Sequence, residues 1–220
     1  MTPSPLRRLG NVIGHLAASA SRSSPHNNPI YPSISNQNNN LPTSIRRLNQ
    51  SSTMATDTEP IYFWREYEPT YGFLSQWYEC PFEVDGVKYW HTEQWMMMEK
   101  ARLFKDEEAA EKMRKTKVPK EHQALGRKVK NYDGKVWDQH KSKIVEEGNY
   151  HKFTKTPAGD KLREKLLETG DRELVEASPY DRIWGVGFWA DEASASRLAW
   201  GENLLGKAIT NVRERIKKEQ

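Results

Sequence analysis

Glu93, Met96, Met97 and Lys100, within EQWMMMEK at residues 93 to 100, recur at i, i+3, i+4 and i+7, the spacing of one stripe along an α-helix. At the usual helical rise, the acid and the amine at its ends stand about 10.5 Å apart along the axis. A carboxyl group held there is suited to protonate a leaving group, activate water or stabilise a developing cation. A lysine kept partly neutral by burial is a nucleophile. The same spacing also suits a glutamate favoured by the helix dipole and a lysine snorkelling past methionines at the edge of a core. These residues alone leave both readings open.

A second group lies in ELVEASPYDRIWGVG, residues 173 to 187. It brings Glu176, Asp181 and Trp184 into a short strand and loop, where Gly185 and Gly187 permit close backbone approach to a ligand. The alternative makes Asp181 a turn residue, Trp184 core and the glycines hairpin geometry. Gly126 and Arg127, Trp137, and Lys152 with Phe153 are weaker signals. Arg127 suits either a phosphate or a surface ion pair.

Other chemistries find little support. The chain has no GxSxG, Walker loop, GxGxxG or HExxH, and its six histidines show no metal-ligand spacing. The single cysteine, Cys80, excludes an intramolecular disulfide and fits a reducing compartment. Paired with His91 it would make a nucleophile, but a lone cysteine more often packs as a small hydrophobe. No run of about 18 apolar residues occurs, so no transmembrane helix is expected.

The formal charge of +4 points away from a long nucleic-acid footprint once it is divided. Before residue 59 there are five arginines and one acid, a balance of +4. The remainder therefore carries 34 − 5 = 29 bases and 30 − 1 = 29 acids, with no global field for phosphate.

The elements that must position these groups begin near Ile61. Residues 1 to 58 are rich in Ser, Asn and Pro, lack tryptophan, and are expected to be a disordered leader. Leu6, Leu9, Ile13 and Leu16 at helical spacing beside Arg7 and Arg8, with no acid before Asp57, read as a transit peptide. The alternatives are a plain tail or upstream sequence ahead of a start at Met54. The expected location is mitochondrial or cytoplasmic.

From Ile61 onward, IYFWRE and PFEVDGVKYW read as short strands or a hairpin with a DG turn. Helices are expected over 92 to 104, 106 to 116, 120 to 130 and 135 to 150. Another is expected to start at Thr156 and Pro157 and to end at Gly170. A strand, turn and glycine-bearing loop cover 174 to 189. Leu204, Leu205, Ala208, Ile209, Val212 and Ile216 mark a closing amphipathic helix. The fold class is mainly α with small β elements (α+β), a single domain over 59 to 220.

In order, YGFLSQWYECPFEVDGVKYWHTEQW, ALGR, Trp137, KF, LLETG, LVEASPYDRIWGVG and GENLLGKAITNVR resemble the YbiA-like family, also called the NADAR domain. The resemblance runs from Phe63 to about Arg213. It implies cleavage of an N-glycosidic bond, either in early riboflavin intermediates built on ribose 5-phosphate and an aminopyrimidine, or between ADP-ribose and guanine bases. It implies catalytic roles for Glu93, Trp137 and Asp181, with Lys100 and Trp184 in the same pocket. Substrate contacts are expected at Gly126, Arg127, Lys152, Glu176, Trp184, Gly185, Gly187 and Asn203. No metal or redox cofactor is implied. The partner is a small ribose phosphate or ADP-ribose conjugate, or ADP-ribosylated guanine in nucleic acid. A binding module for ADP-ribose or NAD is the rival of another class. The sequence departs from the family pattern at Gln94, where histidine is common, and at Met97 and Glu99, where glutamine is.

Overall fold

A computed structural model of the chain describes residues 58–220; the leader expectation lies outside them. After β1 (Ile61–Phe63), the predicted hairpin forms from β2 (Phe82–Val84) and β3 (Val87–Tyr89), which pair antiparallel. Its turn residues, Asp85 and Gly86, both have positive φ, at 50° and 74°. That is the backbone a two-residue turn of the right twist demands.

Helices follow at α1 (Thr92–Leu103), α2 (Glu107–Arg114), α3 (Pro119–Gly126), α4 (Gly134–Lys155) and α5 (Gly159–Leu167). Then come β4 (Leu174–Glu176), the short α6 (Ala190–Ala193) and α7 (Leu204–Lys218). β4 lies parallel to β1, Ile61 opposite Leu174 and Phe63 opposite Glu176. That pairing joins segments more than a hundred residues apart, so no local pattern announces it.

Three helices differ from expectation. α4 continues past residue 150 because nothing from Gly134 to Lys155 breaks a helix as strongly as the proline that follows. Thr156 and Pro157 end that helix rather than start the next: Thr156 is the C-cap of α4, with extended backbone (ψ 150°). A proline excludes αR from its predecessor, so the signal read as a start works as a stop. α3 ends at Gly126, short of the expected 130.

α1 is the central helix, enclosed by α2, α3 and α4, and every residue from Thr92 to Met98 is buried. Burying a side chain such as Met98 contributes roughly 1.5–3 kcal/mol. α4 crosses α1 closely because it has no side chain at Gly148, where a Cβ would stand 2.4 Å from Cδ1 of Trp95. The Trp95 indole donates to the carbonyl of Ile144 at 2.8 Å. α7 closes the core against α4 and β4.

The start of α1 is fixed by a buried histidine. Nδ1 of His91 accepts from the backbone N–H of Gln94 at 3.1 Å, and Nε2 faces the Lys117 carbonyl at 3.1 Å. Only the tautomer protonated at Nε2 serves both. Burial, then the neighbouring His122, lowers the pKa of His91 to about 4. The folded value lies below the unfolded value near 6.5, so the stability His91 contributes is complete above pH 6.5 and is lost as pH falls towards 4. Thermal melts of wild type should show this acid loss. His91→Asn, which keeps a cap acceptor that cannot charge, should show less of it, and an unchanged acid slope would rule the histidine out as its source.

Candidate active site

The open side of α1 forms the floor of a cavity of about 350 Å³, within the range of small-molecule sites. α1 supplies Glu93, Met96, Met97 and Lys100, so the stripe read from the sequence faces one space. α3 adds Gln123, Gly126 and, at its C-cap, Arg127, while Trp137 comes from the first turn of α4. The chain leaving β4 brings Glu176, Ser178, Asp181, Ile183 and Trp184; the chain leaving β1 brings Trp64, Arg65 and Glu66. Ser75, Gln76 and Trp77 complete the wall.

Glu93 is only 4 % exposed, and its Oε1 has no hydrogen-bond partner among the described residues. Burial lifts its pKa to about 8; the Trp77 indole pulls it back, the Asp181 charge adds to the rise and Arg127 opposes it. Glu176 keeps some surface open to the cavity, but its Oε2 is out of solvent and unpartnered. It too is lifted to about 8, by burial first and then by Asp181 and Glu93. Near pH 7 both therefore hold protons, in a cavity that Asp181 and Glu66 also line.

Asp181 is half-buried, and its Oδ1 accepts from the backbone N–H groups of Ile183 and Trp184, each at 2.8 Å. That turn fixes the carboxyl while leaving its second oxygen uncommitted. The loop fits beneath because of Gly185, where a Cβ would meet the Glu176 carbonyl at 2.7 Å.

Lys100 is half-buried, and its ammonium faces the rings of Tyr132 at 4.4 Å and Trp137 at 5.4 Å. Desolvation lowers its pKa. Arg127 is exposed at the rim, donating to Gln123 Oε1 at 3.2 Å. Gly126 brings α3 against α1, a Cβ there falling 1.9 Å from Sδ of Met97.

Glu93, Lys100, Gly126, Arg127, Trp137, Glu176, Asp181 and Trp184 thus meet in one wall. Four other expected contacts lie behind it. Gly185 and Gly187 support the loop: Gly187 N–H donates to the Ser178 carbonyl at 3.0 Å. Asn203 ties β4 to α7, accepting from Glu176 N–H at 3.0 Å and donating to the Leu174 carbonyl at 2.9 Å. Lys152 is fully buried and donates to the Ser75 carbonyl at 2.8 Å. Cys80 is buried, with its thiol pushed up by desolvation, whereas His91 caps α1; neither lines the cavity. Sequence reasoning passed over Trp64, Arg65, Trp77 and Tyr132. Trp77 stood in plain view, in YGFLSQW directly before the hairpin.

Among the described residues, no group of three or more His, Cys, Asp or Glu is arranged to hold a metal ion, and no helix is long and apolar enough to cross a membrane.

The NADAR domain profile matches residues 62–217. An N-glycosidase of Acanthamoeba polyphaga mimivirus is 41% identical over 148 residues, spanning 64% of this chain and 85% of its own. A riboflavin biosynthesis protein of Vibrio vulnificus is 30% identical over 161 residues, 72% of this chain but 39% of its own. The NMR structure of Escherichia coli YbiA superposes with a TM-score of 0.60 at 26% identity, covering 74% of this chain and 87% of that one.

Proposed function

The chain belongs to the NADAR domain family, and on that premise we propose that it is an N-glycosidase hydrolysing the C1–N bond of a ribose phosphate conjugate, with ribosylaminopyrimidine 5′-phosphates as the first substrate reading. The supporting observation is the pair of acids, Glu93 and Glu176, both lifted to about 8 in a cavity shared with Asp181. Carboxyl groups kept protonated near neutrality are proton donors, and acids whose environments differ can divide the acid and charge-stabilising roles.

The protonated Glu93 gives its proton to the departing amino nitrogen as the C1–N bond breaks. The electron pair of that bond leaves with the base, and positive charge builds on C1 and the ring oxygen. Asp181 stabilises that charge and takes the proton of the water that adds to C1; passing it to Glu93 restores the starting state. Glu176 offers a neutral carboxyl to a sugar hydroxyl. Trp137 and Trp184 give the leaving ring flat apolar faces, and Arg127 at the rim suits a phosphate.

A second reading, removal of ADP-ribose from guanine, draws on an aromatic cluster at the mouth. The Trp64 ring lies 5.1 Å from that of Trp189 and 6.0 Å from that of Tyr180, which are 45 % and 80 % exposed. Arg65 stacks on Trp64 at 3.6 Å. Such a platform suits a second planar ring, which the aminopyrimidine substrate lacks.

The test is parallel incubation with a ribosylaminopyrimidine 5′-phosphate and ADP-ribosylated guanosine, reading the released base by mass. Wild type should release at least one. If the platform holds a second ring, Tyr180→Ala with Trp189→Ala should raise KM for ADP-ribosylated guanosine about 10-fold, from stacking worth roughly 1–3 kcal/mol, and leave the aminopyrimidine unaffected. Release of neither base, with ADP-ribose still bound, would favour the binding module.

A further inference from the structure

We infer that Lys152 is a positioning residue for this site: from beneath the cavity it holds the Ser75–Trp77 loop, and through that loop it sets Trp77 against Glu93. Lys152 is 0 % exposed, yet among the described residues its ammonium meets no carboxylate. Its hydrogen bond goes to the Ser75 carbonyl at 2.8 Å, beside the rings of Phe153 at 5.4 Å and Tyr78 at 5.5 Å. A buried cation without a counter-ion is costly, so a purely apolar side chain would serve packing better.

What the cation holds is the back of the active-site wall. One turn earlier on α4, Asn149 donates to Oε1 of Gln76 at 3.0 Å, so α4 grips two consecutive loop residues. The loop in turn grips α1. The Gln76 carbonyl accepts from Glu93 N–H at 3.0 Å and from Thr92 Oγ1 at 3.1 Å, and Ser75 Oγ accepts from Trp77 N–H at 3.3 Å. Lys152 is thus two links from the backbone of Glu93 and from the indole that lowers that residue's pKa.

The inference rests on the glycosidase reading for its rates but not for its titration. Asp181 and Arg127 are the charged groups acting on Glu93, the neighbouring titratable Glu176 is itself acted on by Asp181 and Glu93, and Cys80 is the titratable group acting on Lys152. In Lys152→Met the loop loses its anchor, Trp77 withdraws and the Glu93 titration moves above its wild-type value near 8. The test follows Glu93 by NMR of carboxyl-labelled protein in four forms: wild type, Lys152→Met, Trp77→Phe and the double variant.

The expected result is an upward shift in Lys152→Met that is largely absent when the substitution is made in Trp77→Phe, the non-additivity of residues acting in series. With an active substrate, kcat should fall about 10- to 10²-fold, the scale for a misplaced catalytic group, with KM little changed. Asn149→Ala should shift Glu93 in the same direction and keeps the question answerable if Lys152→Met does not fold. An unchanged Glu93 titration in Lys152→Met and Asn149→Ala, or shifts that simply add to that of Trp77→Phe, would overturn the inference. Variants that show these shifts, with a wild type that cleaves neither substrate, would leave the positioning role standing and remove the glycosidase reading.

Discussion

Glu93→Gln is expected to lower turnover near pH 7 by at least about 10²-fold, the scale for losing a general acid, while the protein stays folded and becomes more stable than wild type in alkali. Both effects have one cause. Glu93 carries its proton up to about pH 8 because burial disfavours the charged form. The folded value lies above the unfolded value near 4.5, so the stability linked to this proton is complete below pH 4.5 and is lost as pH rises through 8. Glutamine is a neutral near-isostere and removes that loss. Other groups titrate in the same interval, so the measurement is the difference in Tm between wild type and variant. It should widen in favour of the variant from pH 5 to 9. A flat difference would mean that Glu93 ionises normally in the folded protein, and normal turnover would remove it from the reaction. Asp181→Asn is expected to lose a similar factor in rate, because the charge at C1 then has no carboxylate to meet it.

Much of the scaffold was legible because its signals are local. The Asp85–Gly86 turn announces its hairpin, and the Glu93 to Lys100 spacing places four side chains on one face of α1. The residues of Thr156–Pro157 were legible as a boundary but not as to which side of it the helix lay, since a proline that can open one helix also closes another. The β1–β4 pairing was not legible, because three-residue strands joined across the whole domain carry no periodicity. The site followed the same division. Side chains on the cavity wall and those just behind it share residue types and neighbouring positions, so Lys152 and Asn203 looked like ligand contacts until the hydrogen bonds showed them holding backbone. The protonation of Glu93 and Glu176 was also out of reach, since it depends on burial and on three acids converging from α1, β4 and the following loop.

That protonation alters what Lys100 can do. Seen along the helix alone, Glu93 would favour the ammonium form and oppose nucleophilic behaviour. An acid that keeps its proton to about pH 8 has no charge with which to do so, and desolvation is the cause that acts on Lys100, lowering its pKa. The rings of Tyr132 and Trp137 favour the cation, so the neutral fraction grows as pH rises. On the covalent route, the sugar ring opens first, its ring oxygen taking a proton from Glu93 while the base stays on C1 through a C=N bond. The lone pair of Lys100 Nζ then attacks C1, and the base departs with its nitrogen electron pair and the lysine proton as a C=N bond to Lys100 forms; water later hydrolyses that bond, freeing the lysine and the sugar aldehyde. Borohydride present during turnover would deliver hydride to that carbon and leave a stable secondary amine, and peptide mass mapping should place the sugar on Lys100. Trapping per turnover should increase from pH 7 to about 8, below the point at which Glu93 loses its proton. Lys100→Met, similar in volume but without an amine, should lose both the adduct and at least about 10²-fold in rate, the order expected for a missing catalytic group. If wild type turns over quickly and traps nothing while Lys100→Met stays active, C1 is attacked by water directly, and Lys100 serves only as a cation over two rings.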